Sequence, residues 1–240
     1  REYGFASWPR LKREVERREI LTGRDLDRLG RLLSDQPELA KIKMEHWRDH
    51  KQALPLGFMA MLRFDADRLG LPRELPGTGA VAQALIDAGA PVDGDPGDSE
   101  TPLITAASYG DAEVAKVLIE AGADVDARFT GPHTETPLHW TASSNDVEVM
   151  DILLDAGADI EARGAVIAGG TPLADATAFG QWDAARRLVE RGARSNLFES
   201  AALGLLDRVE AELAAEPPPD PEYVSGAFWV TTGSTLGEPR

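Results

Sequence analysis

The amino-acid sequence predicts an all-α protein, a solenoid in which short helix-turn-helix repeats stack on one another. Three observations carry that expectation. Thr101-Pro102-Leu103, Thr136-Pro137-Leu138 and Thr171-Pro172-Leu173 recur 35 residues apart. Each is followed 21 residues later by a Gly-Ala pair, Gly122-Ala123, Gly157-Ala158 and Gly192-Ala193, and an earlier pair, Gly89-Ala90, lies 33 residues before Gly122. A unit of fixed interior length with variable junctions is one structural element stacked repeatedly, and it points to a surface that binds rather than a pocket that reacts. Aromatic residues are only 6% of a chain that is 42% hydrophobic, which suits helices packed closely through Ala and Leu.

In chain order, Ser7-Trp8-Pro9 predicts a helix start, with Ser7 as cap and Pro9 in the first turn, where a missing N–H costs little. Trp8, Leu11 and Val15 fall on one face, and Arg10/Glu14, Lys12/Glu16 and Glu14/Arg18 are opposite charges four apart on the others. This helix ends near Leu21-Thr22-Gly23. A second begins at about Asp25, carries Leu26, Leu29, Leu32 and Leu33, and stops before Pro37. A third runs from Pro37 to about Trp47 with Leu39, Ile42 and Met44. Leu56, Phe58, Met59, Met61 and Leu62 form an apolar helical run that Leu71 to Gly79 breaks, and helix resumes from Ala80 to Ala88. The whole reads as a repeat with an enlarged connection between its two helices.

The regular part follows. After each Thr-Pro-Leu comes a short Ala-rich helix, a turn at Gly110-Asp111, Asn145-Asp146 or Gly180-Gln181, and a second helix with a helical apolar stripe: Val114, Val117, Leu118; Val149, Ile152, Leu153; Ala184, Leu188, Val189. Gly122, Gly157 and Gly192 stand where each second helix must end in a left-handed conformation. Ala201 to Leu213 reads as a shortened last unit. Pro217-Pro218-Pro219 must leave helix, Glu222 to Val230 opens another helix, and Thr231 to Arg240 has little to bury.

These residues resemble the ankyrin repeat. Glu100-Thr101-Pro102-Leu103 with Ala106-Ala107, Gly110-Asp111, Val117-Leu118-Ile119 and Ala121-Gly122-Ala123-Asp124 follows its pattern, as does Glu135-Thr136-Pro137-Leu138-His139 with Ala142, Asp146, Ile152-Leu153-Leu154 and Ala156-Gly157-Ala158-Asp159. The unit from Gly170 matches less well. The resemblance implies an ankyrin-type α-solenoid whose repeats project β-turn or hairpin loops as fingers at right angles to the helices. It divides the chain into an N-terminal capping helix (1–23), degenerate repeats with an insertion near 70–79 (24–96), three repeats (97–130, 131–165, 166–196), a partial repeat (197–215) and a Pro-rich segment with a flexible tail (216–240). Trp140, Asp175 and Thr105 stand where the family usually has Leu. Trp140 is expected to fill core, and Asp175 to be solvated or hydrogen-bonded, because a buried unpaired charge is costly. Asn145 replaces a turn Gly, which Asn tolerates.

Composition excludes several chemistries. With no cysteine there are no disulfides, thiolate metal sites or cysteine nucleophiles, which fits a reducing cytoplasm. No apolar run approaches the length of a membrane span. The start, Arg1-Glu2-Tyr3-Gly4-Phe5, has neither Met nor an apolar signal core and reads as the cut end of a longer protein. The net charge of −16 is uneven: residues 1–31 hold nine basic and six acidic residues, the rest sixteen and thirty-five. Such a field repels nucleic acid and anionic lipid and favours a basic partner, and it also serves solubility. Gly77-Thr78-Gly79 lacks the Gly-Lys-Ser/Thr of a phosphate loop. Asp93, Asp95 and Asp98 depart from calcium-loop spacing, and Pro96 interrupts them. His46 and His50 are four apart, as helical metal ligands can be, without an evident third ligand. His139 matches the family's Thr-Pro-Leu-His, where the imidazole holds loop backbone, and His133 is expected to be exposed in a finger.

The expected function is therefore a non-catalytic scaffold that binds a protein through a concave face and finger tips, with no cofactor. The family's contact positions select Asp98, Glu100, Ser108 and Tyr109, then His133, Glu135, Ser143 and Ser144, then Ile167, Ala168 and Phe179. Tyr109 and Phe179 are the best anchors, because rigid aromatics give contact area at little entropic cost. Asp98, Glu100 and Glu135 would select a basic partner. Two alternatives stay open: an enzyme or ligand-binding protein with a pocket between residues 40–90 (His46, Trp47, His50) and the first repeats, and a fragment whose uncapped end, with Phe228-Trp229 opening an unfinished unit, self-associates.

Overall fold

The computed structural model describes residues 8–45, 52–72 and 74–215. It contains thirteen α-helices among the described residues. Contacts divide the chain into two compact units, Arg1–Ala127 and Arg128–Arg240.

The first unit opens with α1 (Trp8–Gly23) and α2 (Leu26–Asp35), the latter capped by the Asp25 side chain, which accepts from the Arg28 amide. The buried face of α1 is Arg17, Arg18, Ile20 and Leu21. The expected face of Trp8, Leu11 and Val15 is not used, and Trp8 is 75% exposed. Arg17 explains the difference. Its guanidinium donates to the carbonyls of Leu39, Ile42 and Lys43 at 3.0, 2.9 and 3.4 Å and pairs with Glu14 at 2.6 Å. A buried cation is tolerable when so many acceptors surround it.

Those carbonyls also account for a second departure. The third helix is a single 3-10 turn, Pro37–Ala40. The chain then turns its carbonyls towards Arg17 and extends into β1 (Met44–Glu45), which pairs antiparallel with β2 (Gln52–Ala53). Met44 is fully buried, whereas Ile42 is exposed. The apolar run beyond is two helices rather than one, α3 (Pro55–Ala60) and α4 (Leu62–Leu69), broken at Met61. After the break comes α5 (Thr78–Asp87).

Two regular helices complete this unit, α6 (Pro102–Ser108) and α7 (Ala112–Glu120). First helices pack on first helices and second on second: α3 against α6, α5 against α7. Hence α3 and α5 form one helix pair, and α4 sits in the connection between them. The second unit repeats the scheme with α8 (Pro137–Ser144), α9 (Val147–Asp155), α10 (Pro172–Ala178), α11 (Trp182–Glu190), α12 (Leu197–Ala202) and α13 (Leu206–Ala214). There α8 packs on α10, α9 on α11 and α10 on α12.

Local chemistry sets these boundaries. Thr101 and Thr171 cap α6 and α10 by accepting from the Ile104 and Ala174 amides, and Pro occupies the next position in each case. Asp111 and Asp146 cap α7 and α9 through the Val114 and Val149 amides. Gly122, Gly157 and Gly192 end their helices at φ 90°, 92° and 103°, where a side chain would be strained. The cores are Leu103, Ile104, Ala107, Val114, Ala115 and Leu118 in one unit and Leu138, Val149, Met150, Leu153, Leu173 and Leu188 in the other. Val117, Ile152 and Val189, expected in the stripe, are half-buried, and Ala115, Met150 and Ala185 lie deeper.

Among the described helices without a side-chain cap of their own, α5 and α11 borrow one. At the start of α5, the Glu113 carboxylate of α7 accepts from the Gly77 and Gly79 amides at 2.9 and 3.1 Å. At the start of α11, Gln181 turns away and donates to the Ser143 carbonyl. Asn145, at φ 60° after α8, accepts from the Ala184 amide at 2.9 Å instead. Replacing Asn145 by Ala removes this cap and strains the left-handed backbone, and we expect a loss of about 2 kcal/mol in urea denaturation. Asn145→Gly keeps the backbone and should lose only about half as much.

Candidate functional site

The loops that join helix pairs in the second unit are tied to each other by backbone geometry. The finger over residues 128–135 closes when the Phe129 amide donates to the Glu135 carbonyl at 2.9 Å. It is joined to the next finger, residues 163–170, where the Thr134 amide donates to the Gly164 carbonyl at 3.1 Å. A Cβ at Gly164 would lie 2.3 Å from the Thr134 carbonyl oxygen, so only glycine permits this approach. Arg128 reinforces the pair by donating to the carbonyls of Thr134 and Arg163. Ala168, at the tip of the second of these fingers, is held at φ 53°, which is unusual for a residue with a side chain.

His139 lies beneath the fingers, fully buried on α8. Its Nδ1 accepts from the Thr136 amide at 3.1 Å, which leaves the proton on Nε2 to be donated to the Gly170 carbonyl at 3.3 Å. The expected hold on loop backbone is present, and it reaches the next repeat. Burial lowers the imidazole pKa to about 4, so the ring is neutral at pH 7, as both hydrogen bonds require.

Two acids also meet in this unit. Asp175, on α10, is 0% exposed, and the Glu135 carboxyl and Ile167 backbone are its polar neighbours. Glu135 is 2% exposed and places Oε2 2.8 Å from His133 Nδ1. The His133 ring stacks on Phe129 at 4.9 Å, and Trp140 closes the group at 6.1 Å from Phe129 and 6.2 Å from His133. Two expectations are corrected here. Glu135 faces inward, not towards a partner. His133 is half-buried between Phe129 and Glu135 rather than exposed. Asp175, expected to be solvated or hydrogen-bonded, is not solvated: it is buried with the Glu135 carboxyl and the Ile167 backbone as its polar neighbours. Burial first, then the neighbouring Glu135 carboxylate, pushes Asp175 up to about 8.

The remaining expected contact residues lie as follows. Asp98 is exposed, but Lys43 Nζ bridges it to Asp95 at 3.0 and 2.9 Å. Glu100 is half-buried. Ser108 and Tyr109 are half-buried at the end of α6, and the Tyr109 ring rests on Phe64 of α4 at 4.7 Å. Ser143 and Ser144 donate back to the His139 and Trp140 carbonyls of their own helix. Ile167 is half-buried, Ala168 exposed and Phe179 48% exposed. The sequence reading missed Phe64; the available signal was its place in Leu62–Leu69, an amphipathic stretch inside what reads as a broken connection.

A family model described as "Ankyrin repeats (3 copies)" matches residues 77–164 and again residues 126–199, together just over half of the chain. The chain belongs to the ankyrin repeat family. Ankyrin repeats typically mediate protein–protein interaction. No curated protein matches the chain. Within this ankyrin chain, Thr105 fills its core position by donating its hydroxyl to the Thr101 carbonyl, whereas Trp140 is half-buried with its indole N–H unpaired. The carboxylates of Asp93 and Asp95 accept from the Asp124 and Gly97 amides. His46, Trp47 and His50 lie outside the described residues, as do residues 216–240 with Phe228 and Trp229. An open groove of about 530 Å³ lies elsewhere, lined by Glu161, Arg163, Arg194, Phe198, Glu199 and Glu212. No described helix is long and apolar enough to cross a membrane.

Two outcomes are expected. Unfolded imidazole takes a proton below about pH 6.5 and the folded ring only below about 4, so His139 costs stability as pH falls across that window. Relative to a His139→Gln variant, the wild type should lose roughly 3 kcal/mol between pH 7 and pH 4 in chemical denaturation. Separately, Ala168→Gly relieves the left-handed strain and should stabilise the chain by about 1 kcal/mol in the same assay.

Proposed function

We propose that this chain is a non-catalytic scaffold that binds a protein through its finger tips and the ends of its first helices. The observation that carries the reading is the placement of two aromatic rings. Tyr109 and Phe179 each close a first helix, α6 and α10, and neither ring enters the core. Phe64 widens the apolar surface at Tyr109. Such rings make efficient anchors, since they lose little conformational freedom on contact.

Around these anchors the scaffold offers Asp98, Glu100 and Ser108 in the first unit and His133, Ser143, Ser144, Ile167 and Ala168 in the second. Their contributions differ. The two serines of α8 already bond to their own helix, so they supply shape more than donors. The net charge of −16 supports a basic partner, whose approach such a field accelerates and orients. A cysteine-free chain suits the reducing cytoplasm in which we place this activity.

Affinity capture with crosslinking identifies the partner and the face it touches. Tyr109→Ala and Phe179→Ala should each weaken the captured partner at least tenfold, about 1.4 kcal/mol, and raised salt should slow its association. Crosslinks confined to the second helices α7, α9 and α11, with both alanine variants binding as the wild type does, would overturn the reading.

A further inference from the structure

We propose that His133, Glu135 and Asp175 form a proton-operated latch that holds the fingers over residues 128–135 and 163–170 together, closed while the cluster keeps a proton and released when both carboxyls ionise. The latch does not depend on what the fingers bind.

Glu135 is the hub. Its Oε2 meets His133 of its own finger, its Oε1 accepts from the Val166 amide of the next finger at 3.4 Å, and its carboxyl adjoins Asp175 at the base. Three segments of chain thus converge on one buried carboxyl. The contacts are incomplete in an informative way. Buried polar atoms without a well-aligned hydrogen bond gather at this point: His133 Nδ1, Glu135 Oε2, Trp140 Nε1 and both oxygens of Asp175. In a dry site two adjacent carboxylates cannot both ionise without strong repulsion, and one proton shared between them removes most of it.

The other charged groups nearby do not supply a counter-charge. On α8 the titratable side chain is His139, neutral and turned to the Gly170 carbonyl. Arg128 points its guanidinium at the Thr134 and Arg163 carbonyls. On α12, Glu199 accepts from the Asn196 amide. On α11, Arg187 pairs with Asp151 and Glu190, and Asp183 pairs with Arg186. The charge acting on Asp175 is that of Glu135.

The sign follows from the raised Asp175 pKa of about 8. An unfolded Asp has lost its proton above about pH 4, so between there and about 8 the folded chain holds a proton that the unfolded chain lacks. Stability from this site is complete below that window and declines as pH rises through it. Loss of the last proton leaves two charges side by side, and the Val166 amide contact, at 3.4 Å against 3.1 Å for Thr134 to Gly164, is the longer tie between the fingers and the first to yield.

Proton–nitrogen NMR on the full chain from pH 6 to 9.5 tests this. The Trp140 indole N–H and the Val166 amide should titrate together with one midpoint near 8, while the exposed Trp182 indole stays still. The Val166 exchange protection, corrected for the intrinsic pH dependence, should fall at least tenfold across that midpoint. Asp175→Asn and Glu135→Gln should each abolish the shared titration. Resonances that stay still above pH 7, or that still titrate in either variant, would overturn the latch. The wild-type titration alone decides if both variants fail to fold.

Discussion

A pair of helices of six to ten residues has one apolar face and nothing of its own to cover it. Each pair in this chain therefore takes its interior from its neighbours: α6 meets α3 and α10 meets α8, while α7 meets α5 and α11 meets α9. The rule extends beyond apolar contact. Glu113 and Asn145 finish helices that belong to the adjacent pair, and His139 of one repeat holds the Gly170 carbonyl of the next. Hydrogen-bonding groups at helix ends must find partners. In a stack, the nearest partner is often one repeat away, so local structure and stacking become the same interaction.

Polar residues at interior positions show what that arrangement costs. His139 and Asp175 are both fully buried and both kept neutral by burial, but the proton works in opposite directions. Burial denies the imidazole a proton and makes the carboxyl keep one. In mild acid the two effects oppose one another, so the second unit is less sensitive to pH there than either residue alone implies. At alkaline pH nothing offsets the carboxyls, and their site lies under the two fingers.

The repeat was plain in the sequence because its signals are local and redundant. Thr101, Pro102 and Gly122 each specify a backbone conformation that few alternatives satisfy, and the same choices recur 35 residues later. Arg17 was not legible, because its burial depends on three carbonyls more than twenty residues away. The short turn at Pro37–Ala40 followed from the same cause. Nor was Glu135: beside Thr136 it reads as finger surface, and only the approach permitted by Gly164 brings the next finger over it. Asp175 was half legible. Its position where the family has Leu marks an inward side chain, but the acid that faces it lies forty residues earlier. Tyr109 and Phe179 were readable as anchors at the family's contact positions, whereas Phe64 required knowing that the connection after α3 is itself helical.

The borrowed cap at Asn145 bears on how such a chain can grow or shrink. Solenoids gain and lose units by duplication and deletion, and a unit is exchangeable only if it carries everything it needs. The helix pair α10–α11 does not, since the first turn of α11 is completed by a residue of the preceding repeat. A copy inserted in front of it would have to end its own first helix in Asn, with a left-handed backbone, to supply the same cap. The seam between these two repeats is thus a point where exchanging one repeat alone carries a cost in stability.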